Sequence, residues 1–392
     1  MNHCKYLIVG GGMAADSAAR GIRKVDPQGA IAMICDEPHP PYDRPPLSKS
    51  LWQGASFESI WRNTGDLNVD IHTGRKIVTL DAAGKTATDD AGNVYFWEKL
   101  LLATGGSARR LPHADADIVY FRTADDYLKL RELCEQGSDF VVIGGGFIGS
   151  EIAAALAMNG KNVTMIFPTN GIGSRAYPQS LVQFLNDYYR EHGVTMLTSE
   201  SVESVRSEGG KTIVTTGKGT KIAADGVVAG LGIEPNVELA VQAGLKVDNG
   251  IVVDELLRTS NPDIYAAGDV ANFFSATLGE HIRVEHEDNA NVMGEMAGGN
   301  MAGQSQLYHY MPFFYSDMFD LGYEAVGKID ASLDIVEDWQ EPYRKGVVYY
   351  LQEGSVRGVL LWNTWDRVDA ATRLIVEHDL YSAESLAGLI TD

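Results

Sequence analysis

Two short runs of this chain combine residue types that can hold a phosphate. "KYLIVGGGMAAD" (Lys5 to Asp16) and "DFVVIGGGFIGSE" (Asp139 to Glu151) each pass from an apolar strand through three glycines into a helix start. Both fit G-x-G-x-x-G/A, with Gly10, Gly12 and Ala15 in the first and Gly144, Gly146 and Gly149 in the second. The first glycine makes the tight turn, the second lets backbone approach a pyrophosphate, and the third position lets helix and strand pack closely. The helix N-terminus then offers free N–H groups and positive dipole to the phosphate oxygens. One such motif is weak, because Gly-rich turns occur in any α/β protein. Two in the right strand–helix context are much stronger.

Carboxylates near these turns add to the reading. The strand "AIAMICDE" ends on Asp36, 24 residues after Gly12, where an acid would hold a ribose hydroxyl pair; the plainer alternative is a solvated strand-end charge. In the second unit the corresponding strand, "NVTMIFPTNGIGSR", has no Asp or Glu from Lys161 to Arg175. Glu151 lies in a helix of small apolar residues, "FIGSEIAAALAMNG". A carboxylate buried there needs a partner or a proton. If it were exposed it would simply complement the helix N-terminus.

The elements that position these residues are legible around them. "RKIVTLDAAGKTATDDAGNVYFWEKLLLATGG" reads as alternating strands with turns, and "DIYAAG" as a buried strand leading to Asp269. From "HYMPFFYSD" onward aromatic-rich strands, a hairpin at "LQEGSVRG" and a helix near "DAATRLIVEH" predict a smaller α+β domain from Met311. A chain of 392 residues is too long for one simple core. A net charge of −21 argues against nucleic acid or anionic membrane as partners. No apolar run reaches the length of a transmembrane segment. "MNHCK" leads straight into a strand, which leaves no room for a targeting peptide and makes the cytoplasm the expected compartment. Cys4, Cys35 and Cys134 are scattered, with no C-x-x-C and no metal-ligand spacing, and read as buried small hydrophobes.

"LIVGGGMAAD", "HPPYDRPPLSKSLW", "LLLATGG", "VVIGGGFIGSE", "GLGIEPNVELA" and "IYAAGDVA" occur in the order seen in two-dinucleotide flavoprotein reductases. With "RVEHEDNAN", "GYEAVG" and "GVLLWNTWDR" the chain resembles the apoptosis-inducing-factor group, which is related to ferredoxin and rubredoxin reductases. The resemblance covers almost the whole chain. It implies an α/β protein with two Rossmann-like domains and a small C-terminal α+β domain. FAD would occupy 1–115 and 247–310, NAD(P)H an inserted 116–246, and the C-terminal domain 311–392.

The same resemblance implies the site. Gly10, Gly11, Gly12, Met13 and Ala14 would hold the FAD pyrophosphate and Asp36 its adenosine ribose. Arg44, Lys49 and Arg109 would contact FAD, Val78 would meet the adenine and Asp269 the ribityl chain. His286 and Glu287, with Glu285 before them, would lie beside the flavin, at a helix N-terminus suited to the negative charge of reduced flavin. Gly145, Gly146, Phe147 and Ile148 would take the nicotinamide dinucleotide, with Gly232, Glu324 and Asn363 near it. Glu151 would pair with Lys49 at the flavin N5 edge, the catalytic pair, and hydride would pass from nicotinamide C4 to N5 without a protein nucleophile. Phe147 is expected to gate the ring face, or else to be a core aromatic. Tyr315 stands where the family usually has Trp, and the redox cysteines of related disulfide reductases are missing from "RPPLSKSL".

Thr169 stands where the family has glutamate, and Arg175 where it has a basic residue. Relaxed selectivity follows, with NADPH used within about tenfold of NADH, unless backbone groups alone favour NADH. The expected activity is an FAD-dependent NAD(P)H oxidoreductase passing electrons to a quinone, small oxidant or protein acceptor. The alternatives are a ferredoxin or rubredoxin reductase and an NADH-responsive redox sensor. An acidic iron–sulfur carrier would be repelled by the −21 charge unless a local basic patch intervenes. Oligomerisation is left open.

Overall fold

The computed structural model describes residues 2–112 and 114–390. Two compact units are present. One comprises Met1–Arg44, Ser56–Ser107 and Glu234–Pro312, the other Pro45–Ala55, Ala108–Ile233 and Phe313–Asp392.

In the first unit the strand Asn2–Val9 has parallel partners on both sides, Ile31–Ile34 and Val94–Leu102. Val69–His72 extends the sheet beyond Ile31–Ile34, and Ile264–Ala266 pairs in parallel with Leu100, Leu101 and Leu102. Those three leucines are fully buried, which is why "LLL" shows no alternation: a parallel sheet is covered on both faces. The antiparallel strands Ile77–Asp81 and Thr86–Asp89 add a meander. The helices Met13–Val25 and Glu287–Met301 touch backbone to backbone. A Cβ on Gly298 would lie 2.0 Å from the Ala18 carbonyl oxygen, and one on Gly294 would lie 2.4 Å from that of Ala14. Their wealth of Gly and Ala is therefore a packing requirement.

In the second unit the parallel sheet runs Thr195–Thr198, Asn162–Phe167, Asp139–Ile143, Gly226–Ala229 and Val119–Tyr120, with Asp139–Ile143 at its centre. The helix Phe147–Met158 is buried from Gly149 to Leu156, so it packs on both sides, as its composition predicts. A four-stranded sheet of Lys221–Ala224, Lys211–Thr216, Val202–Glu208 and Ala114–Asp115 follows. The C-terminal part is an antiparallel sheet ordered Phe313–Met318, Leu321–Gly327, Ser355–Trp362, Lys345–Gln352 and Asp334–Glu341. The helix Val368–Glu377 buries Ala371, Leu374 and Ile375.

Two parallel sheets, each with a glycine turn after its central strand, and one antiparallel sheet with a helix give the expected α/β class. The second strand of the first unit ends at Ile34, so Asp36 sits in a bend two residues beyond it. Cys4 is only half-buried, whereas Cys35 and Cys134 are buried. Among the described residues no helix is long and apolar enough to cross a membrane.

Candidate active site

The first glycine turn separates what the protein itself requires from what it leaves open. Gly10 has φ +126°, and a Cβ there would lie 2.1 Å from the Ala103 carbonyl oxygen. Gly12 caps the helix in extended backbone, with φ −88° and ψ −171° and no side-chain cap. A Cβ on Gly12 meets no atom within 4 Å. No neighbour in the fold crowds that position, which leaves it open to the close approach of a ligand. The turn Gly268–Val270 lies against this helix start, where a Cβ on Gly268 would be 2.8 Å from Ala14 Cβ. Asp269 follows directly on Gly268 in this turn.

Around Asp269 the charges are organised. Arg283 donates to the Asp269 carbonyl at 3.0 Å and pairs with Glu285 at 2.7 Å. His286 caps the helix that begins at Glu287, again with no side-chain cap bond. Burial pushes the His286 imidazole down to about 4, against the opposing charge of Asp269. It is thus neutral at pH 7. Arg44 donates to Glu37 and lies 5.2 Å over the Tyr42 ring. Burial acts to lower its pKa, but Tyr42, Glu37 and Asp269 outweigh that and raise it. Tyr42 also donates to Glu37 at 2.5 Å. Asp36 is exposed, and Val78 is 46% exposed. Glu37, which the sequence reading passed over, is the carboxylate bound to Arg44. Its signal was position alone, one residue past Asp36.

The second turn repeats the arrangement. Gly144 has φ +121° and its Cβ would lie 2.3 Å from the Gly230 carbonyl oxygen, while one on Gly146 meets no atom within 4 Å. The Gly173 N–H donates to the Gly145 carbonyl at 2.9 Å, folding the following loop onto the turn. Ile148 is 40% exposed, and the half-buried Phe147 ring lies 5.2 Å from Phe314. Gly232, at φ +83°, also has open space at its Cβ position, and its carbonyl accepts from the Arg109 N–H at 3.0 Å. The Arg109 side chain donates to the Ile233 carbonyl at 3.3 Å.

Glu151 is 3% exposed and its Oε1 lies 2.7 Å from Lys49 Nζ. The ion pair is therefore present, and the exposed-helix alternative is excluded. Ser48 donates to its Oε2 at 2.5 Å and Ser316 to its Oε1 at 2.5 Å. Lys49 Nζ also sits 5.2 Å over the Tyr315 ring. Neither serine was singled out in the sequence. Ser316 carried a signal: in the strand "FFYSDM" it falls on the buried side, where a hydroxyl must find a partner.

The remaining expected residues lie in the second unit with varied surroundings. Glu324 has a buried Oε2 with no hydrogen-bond partner, and burial raises its pKa. Asn363 bridges backbone, accepting from the Gly322 N–H at 2.7 Å and donating to the Arg344 carbonyl at 2.9 Å. Thr169 Oγ1 donates to the Gly171 carbonyl at 3.2 Å. Arg175 is exposed, its carbonyl accepting from the Ala331 N–H at 2.9 Å.

These features suit two dinucleotides. Each parallel sheet delivers one uncapped helix N-terminus beneath an open glycine, which is what a pyrophosphate needs. The thiols offer no competing chemistry: burial pushes Cys35 up to about 12 and Cys4 up to about 11, so neither forms a thiolate at neutral pH.

Comparison with known proteins agrees. Residues 4–294 match the model of the pyridine nucleotide-disulphide oxidoreductase family. Residues 297–341 and 336–377 match the mitochondrion-associated C-terminal domain of apoptosis-inducing factor. The chain is 34% identical to "Apoptosis-inducing factor 1, mitochondrial" of Dictyostelium discoideum, over 95% of this chain and 78% of that one. It is 33% identical to the ferredoxin–NAD(+) reductase component of the anthranilate 1,2-dioxygenase system of Burkholderia cepacia, over 97% and 96%. Among solved structures, the covalent putidaredoxin reductase–putidaredoxin complex matches with a TM-score of 0.91 and 30% identity, over 99% and 96%. The chain belongs to the pyridine nucleotide-disulphide oxidoreductase family and is an FAD-dependent NAD(P)H oxidoreductase of the apoptosis-inducing-factor and ferredoxin-reductase type.

Proposed function

We propose that this enzyme is the reductase partner of a small one-electron carrier protein. The observation that carries the reading is the end-to-end match, 97% of this chain on 96% of a ferredoxin reductase component, C-terminal part included. Bound FAD supplies the hydride acceptor for reduced nicotinamide and the store from which single electrons leave. The chain's own residues do the rest. The turn Gly10–Ala14 and Asp36 hold the FAD pyrophosphate and ribose, with Arg44, Val78, Arg109, Asp269, His286 and Glu287 along the cofactor. Gly145, Gly146, Phe147, Ile148, Gly232, Glu285, Glu324 and Asn363 serve the nicotinamide dinucleotide. Lys49 and Glu151 set the field at the flavin N5 edge, and Tyr315 walls the acceptor side.

In this reading the segments 1–115 and 247–310 form the FAD domain, 116–246 the nicotinamide domain and 311–392 the C-terminal domain, in a cytoplasmic protein. With no reactive thiol among the three cysteines, electrons pass to the acceptor without a protein disulfide. One observation favours a second reading: the net charge of −21 opposes docking of an acidic ferredoxin, and a quinone or other small oxidant meets no such barrier. Cytochrome c reduction under NADH separates them. Reduction that depends on an added iron–sulfur protein supports the carrier. Fast turnover with quinone or ferricyanide, unchanged by any iron–sulfur protein, replaces it with the second reading.

A further inference from the structure

The Lys49–Glu151 pair is held by more groups than an ion pair needs. Ser48 and Ser316 each donate at 2.5 Å, one to each carboxylate oxygen, and Lys49 adds a third donor at 2.7 Å. Ser48 and Ser316 are 6% and 1% exposed, so these hydroxyls have no water to turn to. With three donors aimed at it, the Glu151 carboxylate is fixed in one orientation by short hydrogen bonds.

The surroundings show what this fixes. Asp317, next to Ser316, is a second carboxylate near Lys49. Burial raises its pKa, the charge of Lys49 lowers it and that of Glu151 raises it further. Tyr177, Tyr189 and Tyr323 also feel the Glu151 charge, and burial is the main reason each is raised. Tyr177 donates to the Tyr323 hydroxyl at 2.8 Å. These phenols stay protonated and supply no counter-charge, so within this group Lys49 is the cation that two carboxylates compete for. The hydroxyls favour one of them.

We propose that Ser48 and Ser316 are positioning residues that act through Glu151: they hold its carboxylate oriented, so that the Lys49 ammonium is committed to Glu151 rather than to Asp317. The effect on the flavin rests on the reading that this pair faces the cofactor. Removing both hydroxyls leaves Oε2 without its donor in a dry site, and the carboxylate is free to turn away from Lys49. Lys49 is then shared between Glu151 and Asp317, which changes the charge it presents to the flavin.

The test uses the purified flavin-containing protein and the variants S48A, S316A, S48A/S316A and S316T. Two quantities are read: the flavin midpoint potential, and the infrared bands of Glu151, assigned against E151Q. In the double variant the carboxylate stretches of Glu151 are expected to shift. The oxidised–reduced equilibrium should move at least tenfold, about 30 mV for a two-electron couple. S316T, which keeps a hydroxyl, should restore the wild-type value of both quantities. If the double variant does not fold, the single alanine variants are expected to shift both readouts in the same direction by less. An unchanged infrared spectrum in the alanine variants overturns the role of the hydroxyls. Shifted carboxylate bands with an unchanged potential overturn instead the placement of the pair beside the flavin.

Discussion

The two glycine turns carry the same backbone device but pair their carboxylates with different cations. Each is followed by a buried carboxylate within the first turns of its helix: Asp16, four residues after Gly12, and Glu151, five after Gly146. Asp16 takes Arg62 at 2.7 Å, Arg20 at 2.8 Å and Thr64 at 2.7 Å, and Arg62 reaches on to Asp43 at 2.6 Å. Glu151 takes one lysine and two serines. Guanidinium is always charged and binds in a fixed fork, whereas ammonium is a compact point charge on a flexible stem. The first network ties the helix to the segment that leads into Arg44, and reads as a latch. The second keeps a single, adjustable charge. On the proposed function, the carboxylate after the first turn serves the scaffold and the one after the second serves the working site.

The comparison breaks most visibly at the glycines. Gly10→Val and Gly144→Val force a Cβ into carbonyl oxygens 2.1 and 2.3 Å away, at φ values of +126° and +121°. Insoluble or unfolded protein is the expected outcome. Gly12→Val and Gly146→Val meet no protein atom, so folding should survive with a melting temperature within a few degrees of wild type. The losses then separate: Gly12→Val should purify without its yellow FAD, while Gly146→Val should stay yellow and lose nicotinamide dinucleotide binding. Circular dichroism, absorbance at flavin wavelengths and coenzyme titration check all four.

Next in size is the latch. Asp16→Ala leaves Arg62, 14% exposed, facing the vacated position, and should cost about 3 kcal/mol of stability. Glu151→Gln, which keeps the shape and the acceptor oxygen, should melt closer to wild type. Lys49→Met leaves the buried Glu151 without its cation and should cost a similar amount to Asp16→Ala. Both should slow flavin reduction by NADH tenfold or more. Thermal denaturation and stopped-flow reduction read the two effects separately. A large stability loss at Glu151 with an unchanged reduction rate would reverse the assignment of scaffold and site.

Acid sharpens the contrast further. Burial acts to raise the Asp16 pKa, but hydrogen bonds from Arg20, Thr64 and Arg62 outweigh it and the result is lowered. A depressed folded pKa contributes stability that is present above the unfolded value, near 3.8, and is lost as pH falls through the lower folded value. Asp16→Asn should therefore flatten the acid limb of the stability profile below about pH 4. His286 acts in a different window. Its folded pKa of about 4 lies below the ordinary 6.5, so the unfolded chain binds more protons between them and stability rises with pH across that range. His286→Asn should remove that slope. Melting temperature against pH, from 3 to 8, checks both.

Much of this was legible in the residues. The turns, the buried strand in "DIYAAG" and the two-sided helix follow from glycine spacing and from apolar runs; the lack of alternation in "LLL" was passed over. Glu151 was conspicuous because a carboxylate among alanines needs an explanation. What stayed hidden depended on tertiary neighbours. Ser48 and Ser316 lie 268 positions apart, and no local pattern says that they meet on one carboxylate. Asp16 looks like an ordinary first-turn acid until Arg62 and Thr64 fold over it. Glu37 was eclipsed by Asp36, because the strand pattern ran past Ile34 and the bend that presents Glu37 to Arg44 and Tyr42 is not written in hydrophobic period.

The smallest expected effect concerns coenzyme choice, the other respect in which the two turns differ. The first unit has acids just beyond its second strand, Asp36 and Glu37. The second has Thr169 there, half-buried, its hydroxyl donating to the Gly171 carbonyl, with the exposed Arg175 further along the same loop. A carboxylate at that point accepts from the ribose 2′-hydroxyl of NADH and repels the 2′-phosphate of NADPH, while threonine does neither strongly. Thr169→Glu should therefore raise the NADH-over-NADPH ratio of reduction efficiencies about tenfold, the equivalent of about 1.4 kcal/mol. Arg175→Ala should move the ratio the same way by less, through loss of attraction for the extra phosphate. Reductive half-reactions with both coenzymes measure the ratio directly. A wild-type preference for NADH above a hundredfold, unmoved by Thr169→Glu, would mean that backbone groups set the selectivity and that this strand end plays no part in it.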